Sequence, residues 1–128
     1  MTSIEIVAVY AAINLLLVVL LAFRVIGSRM TNKISLGAGG NEDMERRIRS
    51  HGNAIENIPS LLIAMVILAA MAAPIWSIHL VGVLLTGGRF FHAFGLSSSV
   101  MIARQIGTVL TLTGYLAGAG LLLWQAIA

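Results

Sequence analysis

Residues 57–88 of the chain read NIPSLLIAMVILAAMAAPIWSIHLVGVLLTGG and contain no Asp, Glu, Lys or Arg. As one helix these 32 residues would be about 48 Å long, whereas the hydrocarbon core of a bilayer is about 30 Å thick. Pro74 follows Ala72 and Ala73, and because a proline disfavours helix in the residue before it, we expect a turn there. The stretch therefore predicts two membrane-spanning helices joined by a tight turn.

The composition of the whole chain points the same way. Of its 128 residues 59% are hydrophobic and only 10% are charged, with a net charge of +3. A soluble domain has about 25% charged residues, which are needed to cover its aqueous surface. These figures exclude a water-soluble globule, a disordered chain and a nucleic-acid-binding protein. The absence of cysteine excludes disulfides, thiolate metal sites and cysteine nucleophiles.

Two further apolar stretches, residues 4–23 and 106–128, are each long enough to cross a bilayer. The glycine-rich residues 35–43 indicate a loop after the first of them. We therefore predict an all-α, integral membrane four-helix bundle with up-down topology, formed as one domain by residues 1–128. Its helices are expected at about residues 4–30, 44–72, 75–95 and 100–127.

The basic residues are distributed on one side of this bundle. All eight Lys and Arg residues lie in, or beside, the first and third connections between helices. The N-terminus, the turn at residues 72–75 and the C-terminal tail contain none. Positive residues favour the cytoplasmic side, so we expect both termini outside and the first and third connections in the cytoplasm.

Polar side chains of several helices are expected at this cytoplasmic boundary. Arg49, Asn53 and Glu56 are spaced i, i+4 and i+7 and share one helix face, as do Arg89 and His92 at i and i+3. Ionisable groups at membrane depth face the protein interior or a cavity. With Arg104 added, these residues carry more positive than negative charge, which suits a small ligand that has carboxylates. Glu56 is then available to an ammonium group of the same ligand.

A second interpretation of the basic residues is that Glu56 neutralises one arginine and the others extend to lipid headgroups. We favour that interpretation for four residues, namely Arg24, Lys33, Arg46 and Arg47.

Residues 45–59, ERRIRSHGNAIENIP, resemble the E-R-x-x-R-x-x-x-N-x-x-E-x-x-P signature of the MAPEG family, the membrane-associated proteins in eicosanoid and glutathione metabolism. Residues 88–92, GRFFH, resemble the G-R-x-x-H segment that ends its third helix. Arg104 occupies the place of the arginine that opens the fourth helix, and residues 25–29 resemble the end of the first.

The resemblance implies a homotrimer that binds glutathione as co-substrate in a cleft between neighbouring subunits, near the cytoplasmic face. It implies that Arg104 activates the thiol. The implied glutathione-binding residues are Arg29, Arg49, Asn53, Glu56, Arg89 and His92. A small lipophilic electrophile would arrive from the bilayer, and the reaction would be conjugation or peroxide reduction.

Some positions differ from the eicosanoid-forming members. Leu96 stands where well-studied members have a tyrosine, and Gln105 and Thr108 stand near Arg104 where some carry Ser or Tyr. In this respect the chain resembles the small bacterial branch, which implies a bacterial inner membrane. Prostaglandin or leukotriene synthesis is not implied.

Three functional hypotheses remain open. The first is a glutathione-dependent transferase or peroxidase, and the second is a non-catalytic protein that binds an anionic lipid or a thiol in the same basic cleft. The third is a small proton-coupled transporter, which needs a carboxylate near mid-membrane. Glu5 and Glu56 lie near opposite ends of their spans, so the sequence favours the third hypothesis least.

Overall fold

A computed structural model describes residues 1–127 and contains four helices over that range. They are α1 (Ser3–Asn32), α2 (Glu42–Ala70), α3 (Ile75–Ser97) and α4 (Met101–Ile127). Each helix end lies within about two residues of the one expected from the sequence. Both α2 and α3 pack against all three other helices, whereas α1 and α4 do not approach each other within the described residues.

Local hydrogen bonds explain where the first two helices begin. At the start of α1, the Thr2 hydroxyl accepts from the Glu5 N–H at 3.4 Å, and the Glu5 carboxylate accepts from the Thr2 N–H at 2.7 Å. At the start of α2, the Asn41 side chain accepts from the Met44 N–H at 3.0 Å. The loop between the two helices turns at glycines with positive φ, as its composition predicted.

The predicted turn before Pro74 is present and joins α2 to α3. Ala72 has a φ of 55°, and the Ala73 N–H donates to the Leu68 carbonyl at 3.0 Å. Gln125 of α4 donates from Nε2 to the Met71 carbonyl at 3.2 Å and so ties the turn to the last helix. Pro59, by contrast, lies inside α2 without ending it, although its missing N–H leaves one helical carbonyl without its usual donor.

The four helices bury a common apolar core and present an apolar outer surface. The core includes Leu61 and Met65 of α2 and Ile78 and Leu85 of α3, all at most 1% exposed. On the outside Leu116 is 76% exposed, and many other large apolar side chains also face outward. All four helices are long and apolar enough to cross a membrane. The predicted integral membrane four-helix bundle is therefore confirmed.

Small residues let α3 and α4 pack very closely at the end of the bundle that carries the basic residues. A Cβ atom on Gly95 would collide with the Arg104 backbone, and one on Gly107 would collide with the His92 backbone. This close approach places His92 and Arg104 side by side on neighbouring helices.

Candidate functional site

A cleft of about 220 Å³ opens where α2, α3 and α4 meet. We call it the arginine cleft, and its lining residues are Glu45, Arg46, Arg49, Asn53, His92, Leu96 and Arg104. Four of the seven residues predicted from the sequence to form the site, Arg49, Asn53, His92 and Arg104, are thus brought together by three different helices.

Helical periodicity explains which side chains reach the cleft. Glu45, Arg49 and Asn53 are four residues apart on α2, so they lie in a row along one face. His92 and Leu96 have the same spacing on α3, and Arg104 lies in the first turn of α4. The row on α2 therefore forms one wall, and the closely packed α3–α4 pair forms the other.

Arg89 lies beneath this cleft and is 3% exposed. Its Nη1 atom donates to the Asn53 Oδ1 atom and, at 3.4 Å, to the Asn53 carbonyl. Its Nη2 atom donates to the Thr111 hydroxyl of α4, and its Nε atom donates to the same oxygen at 3.2 Å. The Thr111 hydroxyl in turn donates to the Gly107 carbonyl at 2.9 Å. One guanidinium thus links α2, α3 and α4.

The contact with Arg89 also determines what Asn53 offers to a ligand. Because Asn53 Oδ1 accepts from Arg89, the Nδ2 group remains as the donor of that side chain. Arg89 itself is part of a smaller adjoining cleft of about 70 Å³, together with Asn53, Thr108 and Thr111. In the single chain Arg89 therefore holds Asn53 in place, and its own contact with a ligand stays a prediction.

The arginine cleft carries a positive charge surplus. Three guanidiniums, those of Arg46, Arg49 and Arg104, face one lining carboxylate, that of Glu45, which leaves two net positive charges. Arg46 also lies 3.8 Å from the Glu42 carboxylate on its own helix. Arg49 and Arg104 are exposed and form no ion pair within the part of the chain described, so they are available to an anion.

Two residues that line the cleft, Glu45 and Arg46, are not among the site residues predicted from the sequence. The sequence favours lipid headgroups as the partner of Arg46, and it indicates Glu45 only as part of the motif at residues 45–59. Both lie on the same side of α2 as Arg49, at i−3 and i−4, and that spacing is the signal that could have found them.

Glu56 and Arg29, which the sequence also predicted as site residues, lie elsewhere in the single chain. Glu56 is exposed, and its carboxylate makes no hydrogen bond or ion pair with residues 1–127. Arg29 donates to the Ile34 carbonyl at 3.4 Å and to the Gly37 carbonyl at 3.0 Å, in the loop that follows α1. Their roles in ligand binding therefore stay predictions.

The positions that differ from the eicosanoid-forming members lie in or near the cleft. Leu96 lines it and gives that wall an apolar side chain without a hydroxyl. Thr108 is exposed, and its hydroxyl donates to the Arg104 carbonyl at 3.1 Å, within α4. Gln105 is also exposed.

The sequence pattern of the MAPEG family matches residues 7–124, which include parts of all four helices. The chain belongs to the MAPEG family. The resemblance noted in the sequence is thereby confirmed, and the α2 motif that carried it supplies one wall of the arginine cleft.

Two curated relatives of this MAPEG protein are both called inner membrane protein YecN, one from Escherichia coli K12 and one from Escherichia coli O6:H1. Each is 33% identical over 100 residues, which cover 78% of this chain and 76% of the relative. The name of these relatives states a membrane location and does not state a reaction. No solved structure matches the chain.

Proposed function

We propose that this protein is a membrane-embedded, glutathione-dependent transferase or peroxidase that acts on lipophilic electrophiles. The observation that carries the proposal is the convergence of Arg49, Asn53, His92 and Arg104 on one positively charged cleft in a MAPEG protein. Glutathione has two carboxylates, one ammonium group and one thiol, so a site for it needs more positive than negative groups.

The cleft, together with Glu56 outside it, offers groups that match both ends of the tripeptide. Arg49 and Arg46 would bind carboxylates, since a guanidinium presents paired donors to a carboxylate. The Nδ2 group of Asn53, held in place by Arg89, would add a donor. Glu56, one turn beyond Asn53 on α2, would receive the ammonium group.

Arg104 is proposed as the residue that activates the thiol. A nearby guanidinium stabilises a thiolate, which is the form that attacks an electrophile or a peroxide. Leu96 supplies no hydroxyl, so Arg104 would perform this activation without help from that position. The apolar outer surface of the bundle would let a lipophilic electrophile approach from the bilayer.

We further propose a homotrimer in which a neighbouring subunit completes the site and contributes Arg29. The distribution of basic residues supports a cytoplasmic arginine cleft with both termini outside. The name of the two relatives supports an inner membrane location.

The test is a titration of the detergent-purified protein with glutathione, followed by the ultraviolet absorbance of the thiolate. Wild-type protein is expected to bind glutathione and form thiolate. Arg49→Ala is expected to lose binding, whereas Arg104→Ala is expected to keep most binding and lose thiolate formation and conjugation of a model electrophile. Lys33→Ala, which removes an exposed cation outside the cleft, is the matched control. If the purified wild-type protein neither binds glutathione nor forms thiolate, the proposal is wrong.

A second candidate function is non-catalytic binding of an anionic lipid or another thiol in the same cleft. It is favoured by Leu96, which places an apolar wall where a reactive or hydrogen-bonding side chain would otherwise lie. Native mass spectrometry of the purified protein distinguishes the two functions. A co-purified phospholipid that is released by Arg49→Ala, with no glutathione adduct formed, would support this second function.

A further inference from the structure

A second polar cleft, of about 400 Å³, lies between α1 and α2 and shares no lining residue with the arginine cleft. We call it the α1–α2 cleft. The residues that matter for its chemistry are Arg24, Gly27, Ser28, Thr31, Asp43 and Arg47.

Four of these residues form one polar face at the end of α1. Arg24, Gly27, Ser28 and Thr31 are spaced i, i+3, i+4 and i+7, so they point to the same side of the helix. Phe23, which also lines the cleft, is 67% exposed and is the last residue of the long apolar stretch. The cleft therefore opens at the level where the hydrocarbon of a bilayer gives way to headgroups.

Both arginines of this cleft are anchored, and both keep free donors. Arg24 donates from Nη1 to the Ser97 hydroxyl of α3 at 2.6 Å, and Arg47 donates from Nε to the Asp43 carboxylate at 2.7 Å. A guanidinium has five N–H donors, and these two make no other hydrogen bond within residues 1–127. Two guanidiniums and one carboxylate leave one net positive charge.

The surface of the cleft at Gly27 is open. A Cβ atom built on Gly27 would meet no heavy atom within 4 Å. The hydroxyl of Thr31 donates to the Gly27 carbonyl at 3.0 Å, so it is already satisfied within the helix. Recognition in this cleft therefore depends on the two guanidiniums and on the space beside Gly27.

We propose that the α1–α2 cleft binds the phosphate group of an anionic phospholipid, with the acyl chains lying against Phe23. Guanidinium groups bind phosphate through paired, charge-assisted hydrogen bonds, and two anchored guanidiniums can share one phosphate. A lipid is the source that fits, because the cleft opens beside an exposed aromatic residue at the hydrocarbon boundary. This site is independent of glutathione and of the arginine cleft.

The test uses the full-length, delipidated protein in detergent and native mass spectrometry with phosphatidylglycerol or phosphatidylcholine. Wild-type protein is expected to retain phosphatidylglycerol in preference to phosphatidylcholine. Arg24→Gln is expected to lower that retention about tenfold, the effect of losing one charged hydrogen-bonding partner. Lys33→Gln removes the same charge from a residue that lies near the headgroups but lines neither cleft, so retention in this variant is expected to stay within about twofold of wild type.

A variant that leaves the net charge unchanged tests whether lipid retention depends on the cleft itself or only on total charge. Gly27→Leu fills the cleft without changing charge, and the open space at Gly27 lets the helix accept the side chain. It is expected to lower phosphatidylglycerol retention as Arg24→Gln does, while glutathione binding stays at the wild-type level.

Several outcomes would overturn the proposal. Equal loss in Arg24→Gln and Lys33→Gln would show that only total charge matters, and unchanged retention in Gly27→Leu would show that the lipid lies elsewhere. Inorganic phosphate that binds the lipid-free protein as tightly as phosphatidylglycerol would assign the site to a free phosphate and exclude the headgroup. Loss of lipid on addition of glutathione would place the lipid in the arginine cleft instead.

Discussion

The side chain of Arg89 donates to the Oδ1 atom of Asn53 directly below the arginine cleft. Its other donors reach the Thr111 hydroxyl, so one buried cation links α2 and α4 through α3. Arg89 is only 3% exposed, and a buried charge is tolerated only while its partners satisfy it. Both the stability of the bundle and the orientation of Asn53 should therefore depend on this contact.

Replacing Arg89 by Met tests that dependence. Asn53 Oδ1 and the Thr111 hydroxyl would each lose a partner, and we expect a loss of about 1–3 kcal/mol in the free energy of unfolding. The measurement is denaturant unfolding in mixed micelles. Lys33→Met, at an exposed position, is the control and should change stability by less than about 0.5 kcal/mol. Additive effects of Arg89→Met and Asn53→Ala in a double-mutant cycle would contradict direct coupling of the two side chains.

Thr111→Val removes a hydroxyl without changing the shape of the side chain. Because that hydroxyl accepts from a buried guanidinium, we expect a loss of about 1–3 kcal/mol in the free energy of unfolding. Thr113→Val is the matched control, since its exposed hydroxyl donates only to the Val109 carbonyl of its own helix. Unfolding of both variants under the same conditions checks the difference. Equal losses of stability would show that the hydrogen bonds from Arg89 to the Thr111 hydroxyl do not contribute to the free energy of unfolding.

Gly95→Ala tests the close packing of α3 on α4. The new Cβ atom would meet the Arg104 backbone, so the helices must separate, at a cost of about 1–3 kcal/mol in stability. The same separation should displace Arg104 from the cleft and reduce thiolate formation with glutathione. Gly120→Ala has open space around it and should be neutral or slightly stabilising. A Gly95→Ala protein as stable as wild type would show that the contact between α3 and α4 can adjust without a loss of stability.

The two arginines of the cleft wall on α2 should contribute unequally to glutathione affinity. Arg49 has no acidic partner among residues 1–127, whereas Arg46 already lies 3.8 Å from Glu42. We expect Arg49→Gln to weaken binding about tenfold and Arg46→Gln to weaken it by less, as measured by titration at fixed ionic strength. Because both variants remove one positive charge, equal losses would indicate that only the total charge of the cleft matters.

Much of the fold could be predicted from the sequence, because a bilayer imposes a minimum helix length. The uncharged stretch at residues 57–88 is too long for one span, and the turn before Pro74 follows from that excess. The shared face of Arg49 and Asn53 likewise follows from helical spacing alone. These features are local, so they need no knowledge of neighbouring helices.

The tertiary structure decided which neighbours those faces meet. The sequence predicts that Arg89 contacts a ligand, and packing adds a contact with Asn53, beneath the cleft, because α3 and α4 approach closely through Gly95 and Gly107. The sequence favours lipid headgroups as the partner of Arg46, and the structure places Arg46 in the arginine cleft because α3 and α4 pack opposite that side of α2.

The sequence by itself thus determined the number of spans, the position of the turn and the side of the bundle that carries the charge. Those follow from hydrophobic length and residue spacing, which are properties of single helices. Only the tertiary structure decided that five of the eight basic residues divide between the arginine cleft and the α1–α2 cleft. That division depends on how the helices pack against one another, and for α3 and α4 small residues such as Gly95 and Gly107 control that packing.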